Sequence, residues 1–473
     1  METKKSLKKL QDWLDQYLNF EKLPQKNIFW LDTMQFLCKK FSSPETFAPS
    51  FHVAGSKGKG SVATFIAAIL SEAGFRTGLY TSPHIVDFAE RVTMCHEFFD
   101  DDVYERACDE ITGGMATIRQ DELPCGRPVT WFELVTLFAF LVFRQAKVDF
   151  SVFEVGLGGR LDATNVIVPR ISVITPIELE HTEFLGDTVE KIACEKGGII
   201  KEGVPVIISS QKNSVRGVLE KIASEKNAPA YFFDNLVTDL EFKYIKNISD
   251  CMKNHTDMKN KCAKKDTLYD NFYEKMKVSF KAPIFKRRIN ANIRLLGEVQ
   301  AQNAALAACA VKIAVPEISE DIIEKGLENA FLPGRFEVSE CVKFPKIPHL
   351  VLDGAHTVNS CAFTMNTLAQ VFGGQRFALL FACAKDKDSF DIAPLFKDKF
   401  EAVFVTVPGA VKQSDLKSVE KSFSACGISF SSSEDFKAQI KKALNFSDEH
   451  GISLLVTGSF YLVSEVKKIL SEF

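Results

Sequence analysis

The run Gly55-Ser56-Lys57-Gly58-Lys59-Gly60-Ser61 stands between the apolar stretch Phe51-His52-Val53-Ala54 and a helical-looking run from Val62 to Leu70. A glycine-rich turn between a buried strand and a helix is a place to hold phosphate. Small residues let backbone N–H groups face inward, the helix start adds positive potential, and Lys59 adds a full charge. The spelling is not the common G-x-x-x-x-G-K-[ST]. That pattern needs glycine at position 53, which is Val53, and a hydroxyl directly after the lysine, where Gly60 stands. The departure narrows the kinds of phosphate loop to be considered.

Outward from the loop, short β-type runs alternate with helix-type runs. Strands are expected at 51–54, 77–80, 150–155, 171–175 and 204–209, and helices at 61–73, 131–145 and 188–195. The runs at 150–155 and 171–175 are apolar nearly throughout, as parallel strands covered on both faces are. Helical periodicity returns at 300–314, and a second strand series comes at 349–353, 377–381, 402–407 and 452–457. The alternation predicts an α/β protein. A P-loop-containing, doubly wound ATPase domain is expected at 1–336, and a smaller Rossmann-like α/β domain at 337–473, with the turn Leu332-Pro333-Gly334-Arg335 as the hinge. The stretch 244–266, rich in Lys, Asn and Asp, reads as an exposed insertion.

With 473 residues the chain exceeds one ordinary core, which favours two domains. Hydrophobic residues make up 46% and the net charge is -3, so a soluble protein without nucleic acid or membrane as partner is expected. The basic start lacks a following apolar segment; Leu10, Leu14, Tyr17 and Leu18 instead recur as on a surface helix. The twelve cysteines are scattered with no C-x-x-C pair, which suits a reducing cytoplasm and small buried side chains.

Several polar residues fall at the carboxyl ends of predicted strands, where open α/β sheets bind ligands. Thr81-Ser82-Pro83-His84 comes after one strand. Glu154 sits inside Val152-Phe153-Glu154-Val155-Gly156, where a carboxylate must be paired in the core or bind a cation. His181 lies just past another strand end, as a packing or capping residue or as a ligand. A hydroxyl, a carboxylate and an imidazole beside a phosphate loop would make a Mg²⁺ site completed by water and nucleotide oxygens. Lys196, read from its neighbours, is a surface lysine at a helix end. Asp353-Gly354-Ala355-His356 ends a strand of the second series, either as an Asx turn or as a grip on ribose or water.

These motifs together resemble the folylpolyglutamate synthase/dihydrofolate synthase family of the Mur-ligase superfamily. His52 to Ser61 is similar to the family's HVAGTNGKGS loop, Gly78 to His84 with Glu90-Arg91-Val92 to its GLYTSPH…ERI segment, and Phe153 to Asp162 to its E-V-G-L-G-G-R-x-D block. Glu180-His181 with Leu185-Gly186 and Glu195 to Ile199 resembles D-H-x-x-x-L-G…E-K-A-G-I. Gly297 to Asn303, Pro333-Gly334-Arg335, Asp353 to His356 and Thr457-Gly458-Ser459 come next, in order. Each match is weak alone; the ordered set, over roughly positions 50–460, is specific.

The resemblance implies an ATP-dependent amide ligase acting as a monomer. ATP, the co-substrate, phosphorylates a carboxylate of a folate or pteroate substrate, and the amine of L-glutamate attacks the acyl phosphate. It implies that Gly58, Lys59, Gly60, Ser61, Asn303, Arg335 and Asp353 bind nucleotide, and that Ser82, Glu154 and His181 hold Mg²⁺. Lys196 is the lysine carbamylated in the family, and Lys59, Lys196, His181 and Glu154 form its catalytic set. Thr130, Phe132, Glu133, Leu161 and Asp162 match positions lining the pterin site of bifunctional members, and His356 and Ser360 lie near the glutamate. Six positions depart from the pattern: Lys57 for Asn, Glu180 for Asp, Gly198 for Ala, Val299 for His, and Thr357-Val358 for Asn-Pro. Two other readings are a Mur-type ligase joining a different acid to an amino acid, and a nucleotide-binding switch without ligase activity.

Overall fold

The computed structural model describes residues 5–19, 30–95, 97–245, 275–385, 387–410 and 412–472. These divide into two compact units. The first draws on the chain up to Glu241, on Ser279–Ala291 and on Val299–Phe331; the second draws on the segments between these and on the chain from Leu332 onward. The second unit thus takes in the turn Leu332–Arg335 that precedes the expected boundary at 337. The reason is local: Gly334 donates its N–H to the Glu337 carboxylate and accepts from the N–H of Gly354, so the turn is built into the second unit.

The first unit carries seven strands, β1 (Ser50–Ala54), β2 (Thr77–Tyr80), β3 (Val92–Met94), β4 (Phe150–Glu154), β5 (Ile171–Ile174), β6 (Val206–Ile208) and β7 (Ala230–Phe232). They form one sheet in the order β3-β2-β4-β1-β5-β6-β7, parallel except for β2 with β3. The predicted strands of this region are all present. The edge strands β3 and β7 escaped prediction because they are only three residues long, too short for a periodic pattern to show. Strand β1 is central, with Val53 in register with Glu154 and Ala54 with Ile174. The carboxyl ends of β1, β4 and β5 therefore line one edge of the sheet.

The helix Lys59–Glu72 rises directly from the glycine-rich loop and buries every residue from Gly60 to Leu70. A helix apolar all round is covered on all sides. Gly326, in the helix Glu320–Asn329, is where a neighbour comes closest: a Cβ there would lie 2.4 Å from Ile69 Cα. A second apolar layer forms around the helix Trp131–Ala146, which packs Phe138, Phe140 and Phe143 with Tyr80 and Phe153 of the sheet. The expected amino-terminal surface helix is Lys5–Leu14. Its apolar stripe is not at the surface: Leu7, Leu10 and Leu14 join this same core, while Leu18 lies past the helix end and is 40% exposed.

Strands β8 (Thr238–Ile245), β9 (Lys275–Lys281) and β10 (Ile289–Ile293) form a three-stranded sheet in the order β10-β9-β8. The insertion expected at 244–266 lies, from 246 on, outside the described residues. The remaining strands are β11 (Glu337–Ser339), β12 (Leu350–Leu352), β13 (Phe377–Ala382), β14 (Ala402–Thr406), β15 (Ser431–Ser433) and β16 (Ser453–Thr457). Their order is β11-β12-β16-β13-β14-β15, parallel apart from β11 with β12. The doubly wound α/β prediction holds in both units. Among the described residues no helix is long and apolar enough to cross a membrane.

Gly326→Ala tests the close helix contact. The added methyl meets main chain, which cannot turn aside, so overpacking costs about 1–3 kcal/mol. This outweighs the gain of up to about 1 kcal/mol in helix propensity. The first urea-unfolding transition of the variant moves to lower denaturant; an unchanged midpoint contradicts the packing argument.

Candidate active site

Gly55 opens the loop with φ +146°, and a Cβ there would stand 1.9 Å from Thr175 Oγ1. Only glycine fits. The loop is tied to the segment after β5: Ser56 and Lys57 donate their N–H groups to Pro176 O, and Ser56 Oγ donates to Glu178 O and accepts from Glu178 N. Gly58, at φ +86°, has the Asn303 side chain 2.6 Å from where a Cβ would be. Gly58, Lys59, Gly60, Ser61 and Asn303 are thus one cluster at the start of the helix Lys59–Glu72.

Two lysines converge on this loop. Lys59 Nζ donates to Gly55 O at 3.0 Å, and Lys196 Nζ donates to the same oxygen at 2.8 Å. Lys196 also donates to Glu180 Oε1 at 2.8 Å. It is not the surface lysine its neighbours suggest, being 2% exposed. Burial and the neighbouring charge of Lys59 hold its pKa down at about 8, against the pull of Glu180. For Glu180 burial pushes upward, but the charges of Lys59 and Lys196 outweigh it and hold the carboxyl at about 2. Glu180 stands out in the sequence only as a departure from the family pattern, and its longer arm is what lets it reach Lys196.

Glu154 ends β4, and its Oε2 accepts from the backbone N–H of Ser82 at 3.0 Å. Carboxylate and serine are therefore side by side at the ends of adjacent strands. His181 occupies the N-cap of the short helix Thr182–Leu185 at φ +46°, without a side-chain capping bond, and is exposed. The hairpin from Ser82 onward is held by Glu90, whose carboxylate accepts from Ile85, Val86 and Asp87 N–H. Arg91, buried, donates from Nε to His84 Nδ1 and lies 4.9 Å over Trp131.

Of the residues matched to a pterin site, Phe132, Leu161 and Asp162 lie at the loop after β4. The Phe132 ring lies against Gly156, where a Cβ would be 2.4 Å from it. Asp162 is buried with its carboxylate engaged: Oδ2 accepts from Gly156 and Leu157 N–H, and Oδ1 from the N–H and hydroxyl of Thr164. Thr130 and Glu133 cap the helix Trp131–Ala146 reciprocally, a capping box that gives both side chains a structural task. Leu161 is half-buried. The Thr164 hydroxyl, donating to Asp162, accepts from His52 Nε2 at 2.8 Å, so His52 carries its proton on Nε2. Burial, with the charge of Lys201, lowers its pKa to about 3 and keeps it neutral.

In the second unit, Asp353 comes directly after β12. Its Oδ1 accepts from Ala355 N–H as in an Asx turn, and Oδ2 from the Thr364 hydroxyl. Burial raises its pKa to about 6, against these bonds and the charge of Arg335. His356 and Ser360 are joined, the Ser360 hydroxyl accepting from His356 and Thr357 N–H. Thr357 caps the helix Val358–Phe372. Arg335 stacks over Phe460, a residue that no sequence motif singles out. A bulky apolar residue right after Thr457-Gly458-Ser459 was the available signal.

The Lys196 geometry has a pH signature. Lys196 loses its proton near pH 8 in the folded protein and near the ordinary lysine value of 10.5 in the unfolded chain. Between these values the unfolded chain holds the extra proton, so rising pH favours the folded state. The melting temperature of the wild type therefore rises from pH 8 to 10 relative to a Lys196→Met, Glu180→Gln double variant. A constant difference would mean that Lys196 titrates normally.

Residues 334–460 match the family model described as "Mur ligase, glutamate ligase domain", and residues 108–311 that described as "Mur ligase middle domain". The chain is 31% identical over 448 residues to the dihydrofolate synthase/folylpolyglutamate synthase of Bacillus subtilis, covering 93% of this chain and 94% of that protein. Its fold is similar to the crystal structure of folylpolyglutamate synthase from Thermotoga maritima, with TM-score 0.77, 28% identity and coverage of 98% and 96%. It is also similar to the Mycobacterium tuberculosis folylpolyglutamate synthase complexed with ADP, with TM-score 0.81, 26% identity and 98% of each chain covered. The architecture, the phosphate loop with its two lysines and the match along nearly the whole chain agree: this protein belongs to the dihydrofolate synthase/folylpolyglutamate synthase family of Mur ligases.

Proposed function

We propose that the chain adds L-glutamate to a folate in an ATP-dependent reaction, with the phosphate loop and its paired lysines as the observation that carries the reading. A carboxylate is a poor electrophile. Phosphorylation by ATP gives it a good leaving group, and attack by the glutamate amine then yields an amide, ADP and phosphate. Such a reaction asks the protein for positioning and for neutralisation of phosphate charge. Gly58, Gly60 and Ser61 supply backbone N–H groups at a helix start, and Lys59 supplies an ammonium that rests on Gly55 O. Asn303 borders the loop from the helix Glu298–Ala314. In the second unit Arg335 and Asp353 serve the nucleotide, and His356 and Ser360 the glutamate. Thr130, Phe132, Glu133, Leu161 and Asp162 frame the pterin, Asp162 by shaping the Gly156–Leu157 turn. We assign 1–336 to ATP binding and 337–473 to the glutamate-ligase domain, in a monomeric cytoplasmic enzyme.

Mg²⁺ fits the donors present. Among the described residues no group of three His, Cys, Asp or Glu is gathered as a self-sufficient metal cage. Glu154 and Ser82 are adjacent hard-oxygen residues of the kind that leaves room for water and phosphate oxygens on a hydrated ion. They, with His181, would hold the ion, which offsets phosphate charge when bound. Carbamylation of Lys196 also has support. It requires a neutral amine, and the pKa of about 8 makes one accessible. A carbamate nitrogen keeps one hydrogen, so Gly55 O and Glu180 cannot both retain Lys196 as donor; Gly55 O still has Lys59.

Purified protein with Mg-ATP and glutamate releases ADP when tetrahydrofolate or dihydropteroate is supplied, and little without an acceptor. Silence with every pterin overturns the folate reading in favour of a Mur-type ligase for another acid. Lys196→Ala lowers turnover by about a hundredfold or more with the fold intact by circular dichroism, and added bicarbonate no longer changes its rate. Normal turnover in that variant removes the carbamate.

A further inference from the structure

The carboxyl ends of β12 and β16 meet at an aromatic ring to which the proposed reaction gives no part. Phe460 is the first residue of the helix Phe460–Glu472, directly after the turn Gly458-Ser459. The ring lies close against main chain: a Cβ on Gly354 would be 2.2 Å from two of its carbons. The turn beneath is fixed, with Gly458 N–H on Ala355 O at 2.8 Å and Tyr461 N–H on Ser459 Oγ at 3.1 Å. Phe460 is therefore held from below and behind. Over it lies the Arg335 guanidinium, with Cζ 4.3 Å from the ring centroid, and beside it the His356 ring at 5.9 Å, inclined by 60°.

Arg335 is anchored at its base as well. Glu337, buried, accepts from Gly334 N–H at 2.8 Å and from Lys467 Nζ at 2.7 Å, the latter from the same helix that starts with Phe460. Backbone and guanidinium of Arg335 are thus both referenced to that helix. A guanidinium held by its face directs its N–H donors outward in its own plane, the geometry for a bidentate grip on phosphate oxygens. An arginine free in solution would have to lose its rotamer freedom on binding; one already stacked has lost it.

We propose that Phe460 is a positioning residue whose ring is the shelf that sets Arg335 for the nucleotide phosphates. This rests on the assignment of Arg335 to the nucleotide. Steady-state kinetics of wild type, Phe460→Leu, Phe460→Tyr, Arg335→Ala and the Phe460→Leu, Arg335→Ala pair test it, with melting temperatures confirming folded protein. Phe460→Leu raises the KM for ATP by about tenfold, with a smaller change in the KM for folate. Phe460→Tyr, which keeps the aromatic face, stays near wild type. The double variant is no worse than Arg335→Ala alone. Phe460→Met serves in place of a leucine variant that fails to fold.

An unchanged KM for ATP in Phe460→Leu, or losses that multiply in full in the double variant, overturn the shelf while leaving Arg335 its role. If Arg335→Ala itself changes neither KM for ATP nor kcat, the nucleotide assignment falls and the proposal with it.

Discussion

The carbonyl oxygen of Gly55 accepts from Lys59 and Lys196 at 3.0 and 2.8 Å, and two ammonium groups this close need an anion beside them. Glu180 is that anion in the structure. A nucleotide phosphate, in the reaction proposed above, would be a further one, since backbone N–H groups and the helix start lie beside the two lysines. The arrangement demands a precise loop. Gly55 must pass Thr175 with no Cβ, and the segment Pro176–Glu178 must hold Ser56 and Lys57 from the other side. The central place of β1 comes from the same need, because only a strand flanked by β4 and β5 brings Glu154 and the His181 segment to the loop's edge.

Much of the fold was legible because its strands are buried on both faces and read as unbroken apolar runs. Phe150–Glu154 and Ile171–Ile174 are of this kind. Strands β8 to β10 were not legible. Thr238–Ile245 and Lys275–Lys281 alternate charged with apolar residues and so lack an unbroken apolar run, although Lys275–Lys281 buries Met276, Val278 and Phe280 on one face. The amino-terminal helix is legible as a helix but not in its placement. Periodicity gives the stripe and says nothing of what covers it, and here Leu7, Leu10 and Leu14 enter the core of the first unit.

For the site, residue type and position relative to strand ends were enough to single out Glu154, Ser82 and the loop. They were not enough for Lys196. A lysine at a helix end has a favourable surface reading, and only tertiary packing puts it at 2% exposure with two acceptors. Likewise Asp162 and Glu133 stand in the sequence as polar residues near a pterin, whereas their carboxylates hold main-chain N–H groups that shape the surrounding turns. A buried carboxylate with this many donors is committed to shaping the turn around it.

The departures from the family pattern acquire a common logic near Lys196. Glu180, longer by one methylene than the aspartate it replaces, reaches Nζ at 2.8 Å. Gly198, in place of alanine, leaves room for Arg160: a Cβ there would come within 2.6 Å of Arg160 Cα. Arg160 uses that room to donate its N–H to Glu195 O and its guanidinium to Glu195 Oε1, on the helical turn that carries Lys196. One change thus grips the lysine at its tip and the other braces its backbone. A longer acid at 180 is useful only if the lysine is held where the acid can meet it, so the two substitutions are best understood as a pair.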